Sequence, residues 1–265
     1  MIKFIKKIIT NYLPLNQKNY YLDLDKESYK YSYLINRPIE GLQNLNFQAL
    51  CLLFQTDKAS FNHQLIKSKK YYRSILQTHN YAASYDKFFY EIKDSIKNII
   101  EIGCLNGSSS AVLFYYFKFA NIFSLDIDFS ANNVHSKRIS REIVDQSNVA
   151  SIRRFLDNKS NTKFNIIIDD GSHKQNDILL TFNEFFDSLS SRSFYIIEDI
   201  SYQNQPKVLN IYDQFISKNI GSINYLDKVS FNKIKNITRI ESQQNFYKQN
   251  NEKSTQQYIL FIEVH

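Results

Sequence analysis

One stretch decides the fold of this chain: Asn98-Ile99-Ile100-Glu101-Ile102-Gly103-Cys104-Leu105-Asn106-Gly107-Ser108-Ser109-Ser110. Its apolar start predicts a buried strand, its two glycines predict a tight loop, and the serines before the apolar run 111–119 predict a helix N-terminus. The 265 residues include only five glycines, and glycine is needed where φ is positive or where another group approaches the backbone closely. The stretch therefore predicts a strand–loop–helix unit of an α/β sheet, with a ligand site at the loop.

Alternating strands and helices continue from this loop towards the C-terminus. Strands are predicted at 98–101, 122–126, 141–144, 164–169 and 194–198, with helical stretches between them, a helix from Pro206 to about Lys218, and a closing pair of strands at 237–241 and 258–264. This pattern predicts an α/β fold with a Rossmann-like, doubly wound, mostly parallel sheet and an antiparallel C-terminal strand. We divide the chain into a mainly helical N-terminal extension at 1–78, for oligomerisation or as a substrate lid, and a main domain at 79–265.

Composition limits the class of protein. The chain is 43% apolar with 21 Phe and 19 Tyr, enough for a large core. Its net charge of +7 comes mostly from lysines, and the few arginines are scattered, which argues against a nucleic-acid face. Its two cysteines, Cys51 and Cys104, cannot form a disulfide framework or a zinc site. We expect a homo-oligomer, with a dimer favoured.

The location of the protein is predicted from what the sequence lacks. No run approaches the 18 or so apolar residues of a membrane span. The first nine residues alternate lysine with apolar side chains, a pattern too broken for a signal-peptide core. We therefore expect a cytoplasmic protein. The basic amphipathic start leaves peripheral contact with the inner membrane face open as an alternative to a docked first helix.

The spacing of the glycine loop indicates its ligand. Glu101 stands where the first glycine of a dinucleotide-binding G-x-G-x-x-G motif would be. The next strand ends in Asp126, at the distance where an acid accepts hydrogen bonds from a ribose. An acid in the first loop suits a cationic amino-acid group better than a phosphate. The pattern resembles the S-adenosylmethionine site of Rossmann-like class I methyltransferases, although an ordinary βα turn can look the same.

Two further strands end in acidic residues. The apolar run 164–168 ends in Asp169-Asp170-Gly171-Ser172-His173, and the run 194–197 ends in Glu198-Asp199. Neighbouring parallel strands would bring these carboxylates together beside the glycine loop, where they need a proton or a cation between them. An all-oxygen site suits a hard cation such as Mg²⁺, and His173 is near enough to reach a substrate oxygen. Each half alone could equally be a helix cap or a packed histidine.

Together the motifs are specific. Ile167-Ile168-Asp169-Asp170-Gly171-Ser172-His173 followed by Tyr195-Ile196-Ile197-Glu198-Asp199 resembles the metal-dependent sugar O-methyltransferases of macrolide biosynthesis, the mycinamicin type, and the related cephalosporin-hydroxylase-like methyltransferases. The similarity also includes Thr56-Asp57-Lys58, His79-Asn80-Tyr81 with Tyr85, and Asp145-Gln146-Ser147. It covers about residues 55 to 200, while residues 1–50 match nothing and the segment 59–78 is longer than the family's spacing.

The resemblance implies roles for individual residues. It makes Asp170, Glu198 and Asp199 ligands of a divalent cation, most simply Mg²⁺, and His173 the general base. It implies that S-adenosylmethionine contacts Glu101 and Gly103 through its methionine part, Asp126 through its ribose, and Asp145 and Gln146 on the adenine side. The other residues expected at the cofactor are Thr56, Lys58, Tyr81, Asn106, Gly107, Ser108 and Asp169.

The implied reaction is methyl transfer from S-adenosylmethionine to a sugar hydroxyl, with a nucleotide-activated sugar or a surface-polysaccharide precursor as the expected substrate. Two alternatives stay open: an O-methyltransferase of a catechol or another small hydroxylated metabolite, and a non-catalytic module that binds S-adenosylmethionine or a membrane surface. A nucleic-acid N-methyltransferase is disfavoured, because residues 168–171 lack the Asn/Asp-Pro-Pro-aromatic signature of that class.

Overall fold

The computed structural model of the protein describes residues 35, 41–54, 56–59, 79–132, 134, 136–227, 229–242 and 256–265. The helices in these ranges are α1 (Phe47–Phe54), α2 (Ala82–Phe89), α3 (Ser108–Tyr116), α4 (Val149–Asn158), α5 (Gln175–Phe185) and α6 (Pro206–Ile216). The strands are β1 (Asn98–Ile102), β2 (Asn121–Asp126), β3 (Ile139–Ile143), β4 (Phe164–Asp169), β5 (Leu189–Ile200), β6 (Ile234–Glu241) and β7 (Tyr258–Val264).

The strands form one sheet in the order β3-β2-β1-β4-β5-β7-β6. Strands β1 to β5 are parallel, and β7 runs antiparallel to both of its neighbours. The predicted fold class, a mostly parallel Rossmann-like sheet with an antiparallel C-terminal strand, is confirmed. Strands β4 and β7 have the predicted bounds, whereas β5 begins five residues before the predicted 194 because its start pairs with the beginning of β4.

One predicted helix does not form. The connection from β2 to β3 has no helix within its described residues, 127–132, 134 and 136–138. Its polar side chains bond the local backbone instead: Asp128 accepts from the Ser130 amide at 2.9 Å, and Asn132 accepts from the Val134 amide at 2.9 Å. Such local bonds favour turns over helix. The prediction of a helical stretch between these two strands was therefore wrong.

The sheet is buried on both faces because alternate residues of each strand point to opposite sides. Ile166 and Ile168 of β4 pack on the side of α1, α2 and α3, whereas Ile167 packs on the side of α4, α5 and α6. Glu101 of β1 and Glu198 of β5 follow the same alternation and point to the side of the sheet that α1, α2 and α3 cover. The fold therefore buries two carboxylates at the end of the sheet where the loops meet.

The described part of residues 1–78 packs on that same side of the sheet. Helix α1 lies on α2 and α3, with Phe47 stacked on Tyr85 at a ring distance of 4.4 Å, and Asp86 accepts a hydrogen bond from the Phe47 amide at 3.0 Å. The basic segment at 1–9 lies outside the described residues, and the division at residue 78 stays a prediction. Among the residues that the structure describes, no helix has both the length and the apolar character that a bilayer crossing requires.

Candidate functional site

The register of the parallel strands brings the predicted site residues to one edge. Ile102 of β1 pairs with Asp169 of β4, and Asp169 pairs with Ile197 of β5. The next residues, Gly103, Asp170 and Glu198, therefore lie side by side where β1 and β4 end. This is the edge at which open α/β sheets bind ligands.

Gly103 lets the β1 and β4 loops touch. Its φ is +82°, and a Cβ there would lie 2.2 Å from the Asp170 carbonyl oxygen and 2.5 Å from the Gly171 Cα. Gly107, also at +82°, precedes α3, and a Cβ there would lie 2.7 Å from Asn132 Oδ1. Contacts within the protein and the positive φ therefore already require glycine at both positions.

Asp126 stabilises the glycine loop by accepting hydrogen bonds from its backbone. Its Oδ2 accepts from the Cys104 and Leu105 amides at 3.0 and 2.9 Å, and its Oδ1 accepts from the Ile127 amide at 2.8 Å. Each carboxylate oxygen can accept more than one hydrogen bond. The carboxylate therefore holds the loop and keeps acceptor capacity towards the pocket that it lines.

A cavity of about 730 Å³ opens between these loops. The predicted site residues that line it are Thr56, Gly103, Asn106, Ser108, Asp126, Asp145, Gln146, Asp170, His173 and Asp199. The predicted residues that do not line it are Lys58, Tyr81, Glu101, Gly107, Asp169 and Glu198, all of which are buried. The site thus has an open layer around the pocket and a buried polar layer.

Glu101 belongs to the buried layer. Its side chain is fully buried, and its Oε2 accepts from the Ser110 hydroxyl, which also pairs with the Ser124 hydroxyl at 2.9 Å. Its Oε1 has no hydrogen-bond partner among the described residues. Burial raises the pKa of Glu101 above its ordinary value, against the opposing effect of the neighbouring serine hydroxyls. A buried acceptor without a donor is costly, so a ligand that supplies a proton or a positive charge would be favoured here.

Lys58 lies between two of the carboxylates that the resemblance assigned to a metal. Its Nζ contacts Asp170 Oδ2 at 2.6 Å and also bonds Glu198 Oε2. Burial favours the neutral amine, but Asp170 and Glu198 outweigh it and hold the pKa of Lys58 well above its ordinary value. Tyr85 Oη donates to the other Glu198 oxygen at 2.5 Å. Both oxygens of Glu198 therefore have partners within the protein.

Asp199 is held by two aromatic side chains. Tyr81 Oη donates to Asp199 Oδ1 at 2.7 Å, and His79 Nδ1 lies 3.0 Å from the same oxygen. The other nitrogen of His79 lies 3.5 Å from Asp57 Oδ2. Burial disfavours the charged imidazole, but the carboxylates of Asp57 and Asp199 raise the pKa of His79 above its ordinary value. These contacts hold the Asp199 carboxylate at the pocket.

Three functional candidates were missing from the predicted site: Asp57, His79 and Tyr85. Asp57 and His79 hold one another beside Asp199, and Tyr85 holds Glu198. All three lie in stretches on which the resemblance rested. Their presence in those stretches was the available signal, but their partners are distant in sequence and become visible only in the fold.

Asp170, His173 and Asp199 form a group that could hold a cation. Each offers one ligand atom, and these atoms all lie within 4.8 Å of one another. His173 Nε2 is 4.0 Å from Asp170 Oδ1, and 40% of the imidazole is exposed. The carboxylates of Asp170 and Asp199 line the pocket, and oxygen ligands of this kind suit a hard divalent cation. Of the three predicted ligands, the structure brings Asp170 and Asp199 together, whereas Glu198 is engaged by Lys58 and Tyr85.

The remaining predicted cofactor residues organise the far side of the pocket. Gln146 Oε1 accepts from the Ser172 amide at 2.5 Å, and its Nε2 lies 3.4 Å from Asp169 Oδ1. Asp169 also accepts from the Thr181 hydroxyl, and burial raises its pKa to about 6. Asp145 accepts from the Ser147 amide at 2.9 Å. Gln146 and Asp145 line the pocket, whereas Asp169 lies behind it and anchors the loop to α5.

Comparison with known proteins agrees with the motifs. No protein-family model matches the chain. The 8-demethyl-8-alpha-L-rhamnosyl tetracenomycin-C 2'-O-methyltransferase of Streptomyces olivaceus is 26% identical over 155 residues, which are 56% of this chain and 40% of that protein. The chain therefore spans less than half the length of this curated relative.

Solved structures of the MycE methyltransferase from the mycinamycin biosynthetic pathway share the fold. The complex with Mg and SAH has a TM-score of 0.59 at 18% identity, covering 83% of this chain and 54% of MycE. The complex with Mg, SAH and mycinamycin VI has a TM-score of 0.60 at 19% identity, covering 94% and 60%. The predicted resemblance is thereby confirmed: this chain is similar to a curated sugar O-methyltransferase and has the fold of a methyltransferase from macrolide biosynthesis.

Proposed function

We propose that the protein transfers a methyl group from S-adenosylmethionine to a sugar hydroxyl with the help of a divalent cation. One observation carries this proposal: Asp170, His173 and Asp199 converge on the same pocket that the glycine loop and Asp126 line. A cofactor site and a candidate cation site that share one cavity can hold a methyl donor and a hydroxyl acceptor together. Such alignment of two reactants supplies much of the rate enhancement in group transfer.

The pocket suits S-adenosylmethionine at its β1 side. Gly103 and Asn106 would lie along the methionine part, and Asp126 has acceptor capacity for the ribose hydroxyls. Asp145 and Gln146 line the side proposed for the adenine. Glu101, buried beneath the loop with one oxygen unpartnered among the described residues, and Asp126 place acidic groups around a cofactor that carries a sulfonium and an ammonium group. This charge pattern favours a cationic cofactor over a phosphate-bearing one.

The cation would be held by Asp170 and Asp199. Both carboxylates are ordered by other side chains, Lys58 for Asp170 and Tyr81 for Asp199. Glu198 would join them only by exchanging Lys58 or Tyr85 for the ion. Mg²⁺, when bound, would supply Lewis acidity towards the acceptor hydroxyl and fix its orientation.

His173 would take the proton from the acceptor hydroxyl. Its imidazole is partly exposed, lines the pocket and lies next to Asp170. A sugar hydroxyl is a weak acid, so methylation of its oxygen needs a proton acceptor within hydrogen-bond reach. The His173 imidazole is 4.0 Å from Asp170 Oδ1 and lines the pocket, so it would be available to an acceptor hydroxyl bound there.

The acceptor class is tested by an acceptor screen. The purified protein is incubated with S-adenosylmethionine and Mg²⁺, and products are examined by mass spectrometry for the gain of one methyl group. The panel pairs glycosylated natural products with their aglycones, nucleotide-activated sugars with the parent nucleotides, and adds oligosaccharides and a catechol. We expect methylation only of members that carry a sugar other than the ribose of a nucleotide, and nucleotide sugars or polysaccharide precursors are the finer expectation. Methylation of the catechol or of an aglycone would refute the assignment.

A further inference from the structure

Two residues of the site have left-handed backbones although neither is glycine. His173 has φ of +54° and Asp199 has φ of +56°. Such a conformation costs roughly 1–3 kcal/mol per residue and persists only where surrounding contacts hold it. The candidate base and a candidate ligand carboxylate therefore both depend on contacts that fix their loops.

Gln205 supplies one contact to each loop. Its side chain is 3% exposed, and its Nε2 donates to the backbone carbonyl of His173 at 2.5 Å. Its Oε1 accepts from the Ser201 amide at 2.8 Å and from the Ser201 hydroxyl at 3.3 Å. Ser201 follows Asp199 by two residues. One buried amide thus joins the backbone at His173 to the backbone just beyond Asp199.

The orientation of this amide is forced. The His173 carbonyl can only accept and the Ser201 amide can only donate, so each must face the complementary end of the Gln205 side chain. The amide of Gln205 meets both requirements, with a donor at one end and an acceptor at the other. A carboxylate would place an acceptor against the His173 carbonyl, and an apolar side chain would leave both backbone groups without this partner.

Other contacts fix the peptide before His173. Ser172 donates its amide to Gln146 Oε1 at 2.5 Å and its hydroxyl to Asp177 Oδ2 at 2.7 Å. The peptide after His173 is held from both sides: Gln205 donates to its carbonyl, and the Ser172 hydroxyl accepts from its Lys174 amide at 3.2 Å. The imidazole itself is 4.0 Å from Asp170 Oδ1, too far for a hydrogen bond. Its direction therefore depends on the backbone, and Gln205 is the side chain that holds the His173 carbonyl.

We propose that Gln205 is a positioning residue that fixes the orientation of the His173 imidazole relative to Asp199. The proposal rests on the proposed function, because it assigns Gln205 the task of aligning the proton acceptor with a carboxylate that would hold the cation. It adds no contact between Gln205 and the substrate. Loss of the hydrogen bonds that Gln205 makes to His173 and Ser201 would slow the methyl-transfer step and leave the binding of S-adenosylmethionine intact.

Three variants test the role of the Gln205 hydrogen bonds. Gln205→Met loses both the donor to His173 and the acceptor towards Ser201, whereas Gln205→Glu keeps the side-chain volume and the acceptor and loses the donor when it is ionised. Gln175→Met is the matched control, because Gln175 Oε1 accepts from the Lys207 amide at 2.8 Å and so joins the same two segments without contacting His173 or Ser201. Each variant is compared with the wild type in kcat, in KM for the acceptor, in cofactor affinity and in free energy of unfolding.

We expect both Gln205 variants to lower kcat by roughly 10- to 100-fold, since a displacement of about 1 Å at a catalytic group has effects of that order. KM and cofactor affinity should change little, and Gln175→Met should retain nearly full kcat. Equal loss of kcat in Gln175→Met, or retained kcat in Gln205→Met, would overturn the proposal.

A readout that needs no turnover accompanies the kinetics. The protein has five histidines, and ¹³C-labelled imidazole signals are recorded by NMR, with His173→Asn assigning the signal of His173. We expect the His173 signal to shift or broaden in both Gln205 variants and to stay unchanged in Gln175→Met. An unchanged signal in the Gln205 variants overturns the positioning role of Gln205. Absence of methyl transfer in the wild type overturns the proposed function alone.

Discussion

The ammonium of Lys58 lies 2.6 Å from the carboxylate of Asp170, 112 residues away in the chain. The same ammonium bonds Glu198 and is 2% exposed. It joins the segment 56–59 to the carboxyl ends of β4 and β5, and it neutralises part of a buried negative cluster. The remaining carboxylate charge faces the pocket, where a divalent cation would complete the balance.

Replacing Lys58 should reveal this shared charge. Lys58→Met leaves Asp170 and Glu198 close together without their counter-ion, so we expect a loss of about 3–5 kcal/mol of unfolding free energy in chelator. Mg²⁺ should restore more stability to this variant than to the wild type, since binding to the folded state stabilises it. Denaturation with and without Mg²⁺ measures both effects.

Lys118→Met is the control for that measurement. Lys118 pairs with Asp94 at 3.1 Å, and both side chains are exposed. Removal of an exposed pair costs about 0–1 kcal/mol. If Lys58→Met costs no more than Lys118→Met and gains no extra stability from Mg²⁺, the charge balance described for the cluster is incorrect.

Gly103→Ala should weaken both the fold and the cofactor site. The new Cβ would lie 2.2 Å from the Asp170 carbonyl, and the positive φ adds strain of its own. We expect a loss of about 2–5 kcal/mol from strain and overpacking together. Gly41→Ala separates the two effects, because φ is +92° there but nothing lies within 4 Å of its Cβ. Equal losses in the two variants would mean that the contact between the loops is unimportant.

Asp126→Ala should lower the affinity for S-adenosylmethionine. The variant loses the braces on the Cys104 and Leu105 amides as well as the acceptor proposed for the ribose, so we expect a cost of about 1.5–3 kcal/mol in binding. Calorimetry measures this cost. The exposed Asp128, which bonds Ser130 and does not line the pocket, provides the control Asp128→Ala. Unchanged affinity in Asp126→Ala would remove this residue from the cofactor site.

His173→Asn should remove the proton acceptor without disturbing the loop. Asparagine tolerates the left-handed backbone that His173 adopts, so the variant should fold. We expect kcat to fall by about 10²–10⁴-fold, the usual contribution of a positioned general base, with cofactor affinity retained. Steady-state kinetics and calorimetry on the same preparation separate the two. Retained kcat would assign the proton transfer to another group.

The sequence predicted the sheet well where strands are fully buried. The runs at 164–169 and 258–264 are almost wholly apolar and have the observed bounds. The connection between β2 and β3 was mispredicted, because the competition between helix and local side-chain bonds at Asp128 and Asn132 is not evident from a pattern of residue types.

The sequence predicted which residues lie at the candidate site better than it predicted the contacts between them. Strand ends and motifs located Asp170, His173 and Asp199 at one edge, as the fold has them. They could not indicate that Lys58 pairs with Asp170 and Glu198, because a contact across more than a hundred residues follows from tertiary packing. Nor could they separate Glu101 and Asp169, which are buried behind the pocket, from the residues that line it.

The central claim is that the protein moves the methyl group of S-adenosylmethionine to a sugar oxygen with help from a divalent cation. The most direct test supplies methyl-labelled S-adenosylmethionine and a glycosylated acceptor in Mg²⁺ or in excess chelator, and locates the label by NMR. We predict label on a sugar hydroxyl oxygen in Mg²⁺ and none in chelator. Label on a non-sugar atom, or equal transfer in chelator, would contradict the account.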